Sequence, residues 1–593
     1  MKKSTGQSRS PTVQKRLGAM AEERRKVLSL SPQQALEEVL QAPQPAALVH
    51  SFADQDLYLL IQDIGPEDAL PLLALASDRQ REFIFDLEAW KRDRVSPAAL
   101  ARWMRLMLAA DPQRAVSWLA ESQTELLEHF LFHNIEVRIR EHDQDPAEFG
   151  PGFFTQDDVL YVRVADRPPV AEDAPEDARL EAVERRKLIL DLLQRLALWD
   201  YPKYQAMLLE AMTVMPAEIE EEQYRLRNVR LAEKGFLPFE EAVGIYQPLA
   251  PSDLQRRALR RMPARGDTGL LSQAPVRPVA FADRGQLFSD ALEKVEPGAL
   301  TAELQAEFAA LCNRLIVADR LQVSEKADLR AAVRKVCATI TIGMEAAGGQ
   351  RGNAAQAAGL IRTHSLTDLF RVGVGRVLRQ RWRAQRWLQE AWFKQAGMPL
   401  TFWDEHYTGI LGGLLLKRPR SYDPAGVESV YREFESSEDI LRAEQALDEV
   451  MAMDRLLGAV GPVIDPALPR GALTYKNLLL TLWARKRLGA EKRTADRTPL
   501  LESLELSSFR RFFMDLFPLT TPEGGSRRTP EAVKADFFGW VASAAGRQPE
   551  SFGDALEAVL TRLLAELAEE YGRVRPQDLD PRFIRLFLLH GPS

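Results

Sequence analysis

Asp56-Leu-Tyr-Leu-Leu-Ile-Gln-Asp-Ile64 places apolar side chains at 57, 60, 61 and 64, the spacing that lines one face of a helix, and Gly65-Pro66 then ends it. Start signals recur from there to His133. Pro66-Glu-Asp, Ser77-Asp78, Ser96-Pro97 and Asp111-Pro112 each supply a side-chain oxygen that caps free amides or a proline that needs no donor. The pattern predicts a succession of short helices. Leu70, Leu72, Leu73, Phe83, Phe85, Leu87, Trp90, Leu100, Trp103, Leu106, Leu108, Val116, Trp118 and Leu119 supply their apolar faces, so neighbouring helices must pack on one another as a curved array. Restarts at 66, 77, 97 and 112 are unevenly spaced, which makes the array repeat-like rather than periodic.

Outward from this stretch, Phe149-Gly-Pro-Gly interrupts the pattern, and Phe153 to Val164 reads as two short strands around a Gln-Asp-Asp turn. This is the one β signal the sequence offers. The acidic, proline-rich run from Asp166 to Asp177 is a connector, after which helices resume near Ala178, near Pro202 and from Pro216 to Lys234, with Gly235 as C-cap. The fold class expected is mainly α: a multi-unit helical array with one small β-hairpin. Its expected parts are a disordered basic tail over 1–30, the short-helix array over 31–147, and a hairpin-plus-helix unit over 148–262. A linker over 263–280, a central unit over 281–520 and a C-terminal helical group over 521–593 complete it.

Three segments carry a resemblance: Asp54 to Ala69, Asp86-Leu-Glu-Ala-Trp-Lys-Arg-Asp93, and Arg230 to Tyr246. Together they resemble a large uncharacterised bacterial family of unknown function, over most of the chain after the tail. The resemblance carries no catalytic residues. The capped short helices are also similar, in architecture alone, to the cytoplasmic helical superhelix of MgtE-type magnesium transporters.

The chain's 593 residues exceed what one core supports, and 46% apolar content suffices for several. A net charge of −7 argues against a protein that coats nucleic acid with its whole surface. Cys312 and Cys337 both fall in helical patterns, which predicts a reducing cytoplasm rather than a disulfide framework. Basic residues over Met1 to Ala19 have no apolar segment behind them, and Gly409-Ile-Leu-Gly-Gly-Leu-Leu-Leu416 is far too short to cross a bilayer, so no membrane insertion is expected.

Candidate chemistry is sparse, and each candidate has a structural counterpart. His129 and His133 lie four apart on a helix with Glu125 one turn earlier, a ligand set competent for zinc or iron; a helix end holding two histidines also arises for structural reasons. A helix is expected from Ser365 to Lys394; six of its residues from Arg371 to Arg386, at 371, 376, 379, 381, 383 and 386, are arginines with no acid among them, and Trp382, Trp387 and Trp392 are interleaved. Such a helix suits an anion or nucleic-acid patch, through Arg371, Arg376, Arg379, Arg383, Arg386 and Trp382, or intramolecular pairing. Arg225, Arg227, Asn228 and Arg230 suit a groove for an acidic partner, or a face matched to the helix dipole. Arg485-Lys-Arg487 and Lys492-Arg493 form a second basic patch, expected in a loop. The apolar run Phe583 to Leu589 must dock on the body or meet a partner. The function expected is protein–protein interaction or scaffolding in the cytoplasm. A protein partner is expected, with nucleic acid or a metal-dependent reaction as alternatives and no cofactor indicated.

Overall fold

The computed structural model describes residues 11–91, 93–142, 144–165, 176–213, 215–234, 236–257, 259, 286–295, 299–321, 326–348, 353–426, 429–493, 498–517, 531–546, 548 and 552–590. The expected linker over 263–280, the C-cap Gly235, most of the 166–177 connector and the Thr521 to Ser526 stretch lie outside them. The chain is mainly α and divides into two units. The first holds 1–247, 253–340 and 350–371; the second holds 248–252, 341–349 and 372–593.

In the first unit the local signals act largely as read. Helix Asp54–Ile64 stops where Gly65 adopts a φ of +100°, a conformation glycine takes without strain. Ser77 and Gln80 form a reciprocal capping box for Asp78–Glu88, Ser96 caps Pro97–Ala110, and Asp111 caps Pro112–Ser122. The restart expected at Pro66 is instead a turn, with the Gly65 carbonyl accepting from Asp68 and Ala69, and the next helix is Leu70–Leu75. Pro71 needs no amide donor in that first turn, which explains the later start. Of the apolar residues named for this array, all but Leu70 and Leu87 are buried, with Phe85 edge-on to Trp118 at 4.9 Å.

Two expectations need correction. Pro11–Ser29 is helical, not a disordered tail from Pro11 on: Val27 is fully buried, and Arg24 donates to the Ser51 carbonyl. The β structure also exceeds one hairpin. Phe153–Thr155 and Leu160–Val164 pair as expected, but Ile135–Ile139 joins the other side of Leu160–Val164, with Ile135 opposite Val164 and Ile139 opposite Leu160. Ile135-Glu-Val-Arg-Ile139 alternates with period two, yet it follows helix Thr124–Asn134 with no glycine or proline to mark the change. Two-residue ladders also occur at Trp90–Lys91 with Arg94–Val95, at Ser421–Tyr422 with Tyr431–Arg432, and at Val463–Ile464 with Leu500–Leu501.

The second unit is built around a core in which Trp403, Trp483, Phe402, Phe512 and Phe537 are almost completely buried. The run after Phe583 docks there. Phe587 packs on Phe509 and Phe512, Leu504 N–H donates to the Leu588 carbonyl, and His590 N–H donates to that of Leu504. Helix Asp404–Leu415 packs on Ser437–Val460 and carries Gly409, Gly412 and Gly413. A methyl group at Gly409 would sit 2.5 Å from the Tyr422 ring, and one at Gly413 would sit 2.5 Å from the Arg420 carbonyl. The bare helix face therefore seats the Tyr422/Tyr431 ladder. Among the described residues no helix is long and apolar enough to cross a membrane.

Candidate functional site

The candidates chosen from sequence resolve differently. His129 is buried, its ring 4.5 Å from that of His133, and His133 Nδ1 donates to the His129 carbonyl at 2.9 Å. Burial, reinforced by His133, lowers the His129 pKa and keeps the ring neutral. Glu125 is exposed one turn away, and among the described residues no group of three or more His, Cys, Asp or Glu is arranged to hold a metal ion. Sequence reasoning passed over Glu128, whose carboxyl is pushed up to about 7 by burial and by a hydrogen bond shared with Glu210.

The Arg225 to Arg230 face is largely turned inward. Arg230 makes a bidentate pair with Asp86 at 2.7 and 2.8 Å, and Arg227 donates to the Asp86 carbonyl and lies over the Trp90 ring. Arg225 pairs with Glu222 at the surface, and Asn228 is half-buried. Lys234 meets the buried Asp54, which Arg79 also approaches at 3.0 Å. The three segments that carried the family resemblance thus supply partners to one another within the first unit.

The arginine-rich stretch is helix Leu366–Glu390, started by Ser365 Oγ accepting from Asp368 N–H at 3.0 Å. Arg371 donates to the Gly244 carbonyl and lies 3.9 Å from Asp368. Arg376 lies 3.7 Å from Glu444, Arg383 pairs with Asp448 at 2.5 Å, and Arg381 donates to the Lys417 carbonyl. The helix expected to run to Lys394 breaks at Ala391. There the buried Asp454 accepts from Trp387 Nε1 at 3.0 Å and from the amides of Trp392 and Phe393 at 3.1 and 3.0 Å. Trp387 is consequently a core residue. Arg379, Trp382 and Arg386 remain exposed, and their spacing places them on one face. Of the second basic patch, Arg485-Lys-Arg487 closes helix Tyr475–Arg487 and only Lys492 and Arg493 lie beyond it in a loop, where they pair with Glu502 and Glu491; the helical part is neutralised as well. Arg485 pairs with Glu502, and Arg487 with Asp515 and Asp536.

What the sequence reading missed is a cleft in the second unit, formed by two adjoining hollows of about 380 and 370 Å³ that share His406, Tyr422 and Pro424. Ile410, Leu414, Phe434, Ala443 and Ala446 give the larger hollow an apolar floor, and Arg420, Arg442 and Arg562 stand around it. At its base Glu449, 4% exposed, accepts from Tyr407 Oη at 2.7 Å and from Arg562 at 2.6 Å. Burial and this carboxylate raise the Tyr407 pKa, so the phenol stays protonated and donates. Asp439, 2% exposed, takes two hydrogen bonds from Arg432 and a further one from Arg442. Burial opposes its charge, but the hydrogen bonds and charge of Arg432, the Glu435 amide and Arg442 together outweigh it and hold the carboxyl below its ordinary range.

In the smaller hollow Asp404 adopts φ 64° and ψ 178°, a conformation almost confined to glycine that costs about 1–3 kcal/mol. Its side chain explains why it stays there. One carboxylate oxygen accepts from Tyr407 N–H at 3.1 Å and caps the helix, while the other meets Lys476 Nζ at 3.1 Å and Tyr475 Oη at 3.3 Å. Lys476 is held again by Glu566 at 2.7 Å. The acids are anchored from below, and the arrangement can bind and orient a ligand. Asp439 and Glu449 sit on the same helical stripe as Ala443 and Ala446, a polar interruption of an apolar face that was legible in the sequence.

No curated protein and no solved structure matches the chain, so the architectural likeness to MgtE-type transporters has no comparison behind it. A family model does match, over residues 12–590, and the chain belongs to that family of unknown function, DUF6178.

Proposed function

We propose that the protein is an interaction protein whose recognition site is the cleft of the second unit. One observation carries this reading: in the larger hollow an apolar floor is bordered by Asp439 and Glu449, buried and satisfied, while their partners Arg442 and Arg562 remain more than half exposed. A binding site needs this division, because groups fixed from beneath lose little further freedom when a ligand arrives. The test is affinity capture of the full chain after nuclease treatment, compared with Gln445→Trp, which places an indole at the cleft from an exposed position. A stoichiometric protein held by the wild type and lost by the variant supports the reading. Equal recovery on both overturns it.

A second reading rests on the exposed face of Arg379, Trp382 and Arg386, which combines two cations with an aromatic ring. It supports contact with single-stranded nucleic acid. Fluorescence anisotropy with a labelled oligonucleotide tests it: binding should weaken steeply with salt and vanish in Arg379→Glu/Arg386→Glu.

A further inference from the structure

From the cleft's chemistry we infer its ligand class: an oxyanion, a carboxylate above all, attached to an apolar body. This rests on the cleft being the recognition site. The charges that face the larger hollow decide the class. Its two lining acids are almost sealed, with side-chain exposures of 2% for Asp439 and 4% for Glu449, whereas Arg442 is 64% and Arg562 is 52% exposed. A guanidinium has five N–H donors. Arg442 directs Nη2 to Asp439, and Arg562 directs Nη2 to Glu449 and Tyr407 Oη. Each thus has one nitrogen committed to a buried acid, which fixes its plane, and further N–H groups on its exposed side. A ligand entering over Phe434, Ala443 and Ala446 meets guanidinium donors, while both lining carboxylates are already engaged. Carboxylates match such donors with short, charge-assisted hydrogen bonds, while an ammonium group would meet like charge. The apolar floor selects the rest of the molecule.

A peptide segment with an acidic residue beside apolar ones, or a free amphiphilic acid, presents the same chemistry. The experiment is calorimetric titration of the full chain with 2-naphthoate, 2-naphthamide and 2-naphthylmethylammonium, which share one body and differ in charge. An acetylated leucine–phenylalanine–glutamate peptide amide forms a fourth arm. Binding of the naphthoate with at least about ten-fold preference over the amide and the ammonium is expected, falling about ten-fold in Arg442→Gln. A ten-fold tighter peptide marks a protein segment as the source, and parity with the naphthoate marks a free acid. Equal affinity for all three naphthyl probes, when Gln445→Trp abolishes it, overturns the ligand class and leaves the cleft standing. Naphthoate binding that survives Gln445→Trp overturns the cleft itself. No binding of naphthoate or peptide by the wild-type chain overturns the inference.

Discussion

The arginine-rich helix Leu366–Glu390 and the cleft both build on arginine and acid, and they use them in opposite ways. Along the helix Arg376 and Arg383 reach carboxylates that are themselves partly exposed, so each pair closes at the surface. Around the larger hollow Asp439 and Glu449 are buried and their partners Arg442 and Arg562 are not. Arginine count therefore says little about availability. What decides it is which partner of each pair has lost its water, because the buried partner fixes the geometry and the exposed one keeps donors to offer.

The sharpest way to break this comparison is Asp454→Ala. It strands a buried indole N–H and two backbone amides, so a loss of about 4 kcal/mol is expected in chemical denaturation followed by tryptophan fluorescence. A loss below about 1 kcal/mol would mean that the helix break at Ala391 does not depend on this carboxylate. Next in size is Glu449→Ala, expected to cost about 3 kcal/mol because Arg562 and the Tyr407 hydroxyl lose their shared acceptor. Glu449→Leu combined with Arg562→Met should recover more than half of that. Additive losses in the double-mutant cycle would show that the pair is not coupled.

A smaller effect lies in the first unit. Glu128 has its folded pKa raised from 4.5 to about 7, so its contribution is full below pH 4.5 and is lost as pH rises through 7. Glutamine cannot titrate. The stability difference between wild type and Glu128→Gln should change by about 1 kcal/mol over that window, reduced by water around the exposed Glu210. A flat difference would place the proton elsewhere. Smallest of all, Arg379→Glu/Arg386→Glu should leave stability within about 0.5 kcal/mol, as for exposed positions without buried partners. A larger loss would move these arginines into the paired class.

Much of the helical architecture was legible, since the capping oxygens at 77, 96 and 111 and the prolines at 97 and 112 act within one turn of themselves. Ile135–Ile139 escaped because strand identity depends on a partner more than twenty residues away. The cleft was less legible still. Its acids lie on an otherwise apolar helical stripe, and its cations come from Arg420, Arg442 and Arg562, which no local spacing connects. The loudest charge signal, at 371 to 386, was mostly satisfied by carbonyls and acids that only the tertiary fold supplies.

The side-chain-free face of helix Asp404–Leu415 has a consequence for how this chain can change over generations. Every single-nucleotide missense change at a glycine codon introduces a Cβ atom, and at Gly413 that atom would collide with the backbone carbonyl of Arg420. Gly409 faces the Tyr422 ring, whereas Gly412 faces the far end of Tyr431, which can swing aside. A mutational scan should find Gly413 the most intolerant of the three and Gly412 the most permissive. The position that seats the cleft's tyrosine ladder would then have no neutral neighbour in sequence space, and the cleft wall could drift only by changing residues on the opposite side of that contact.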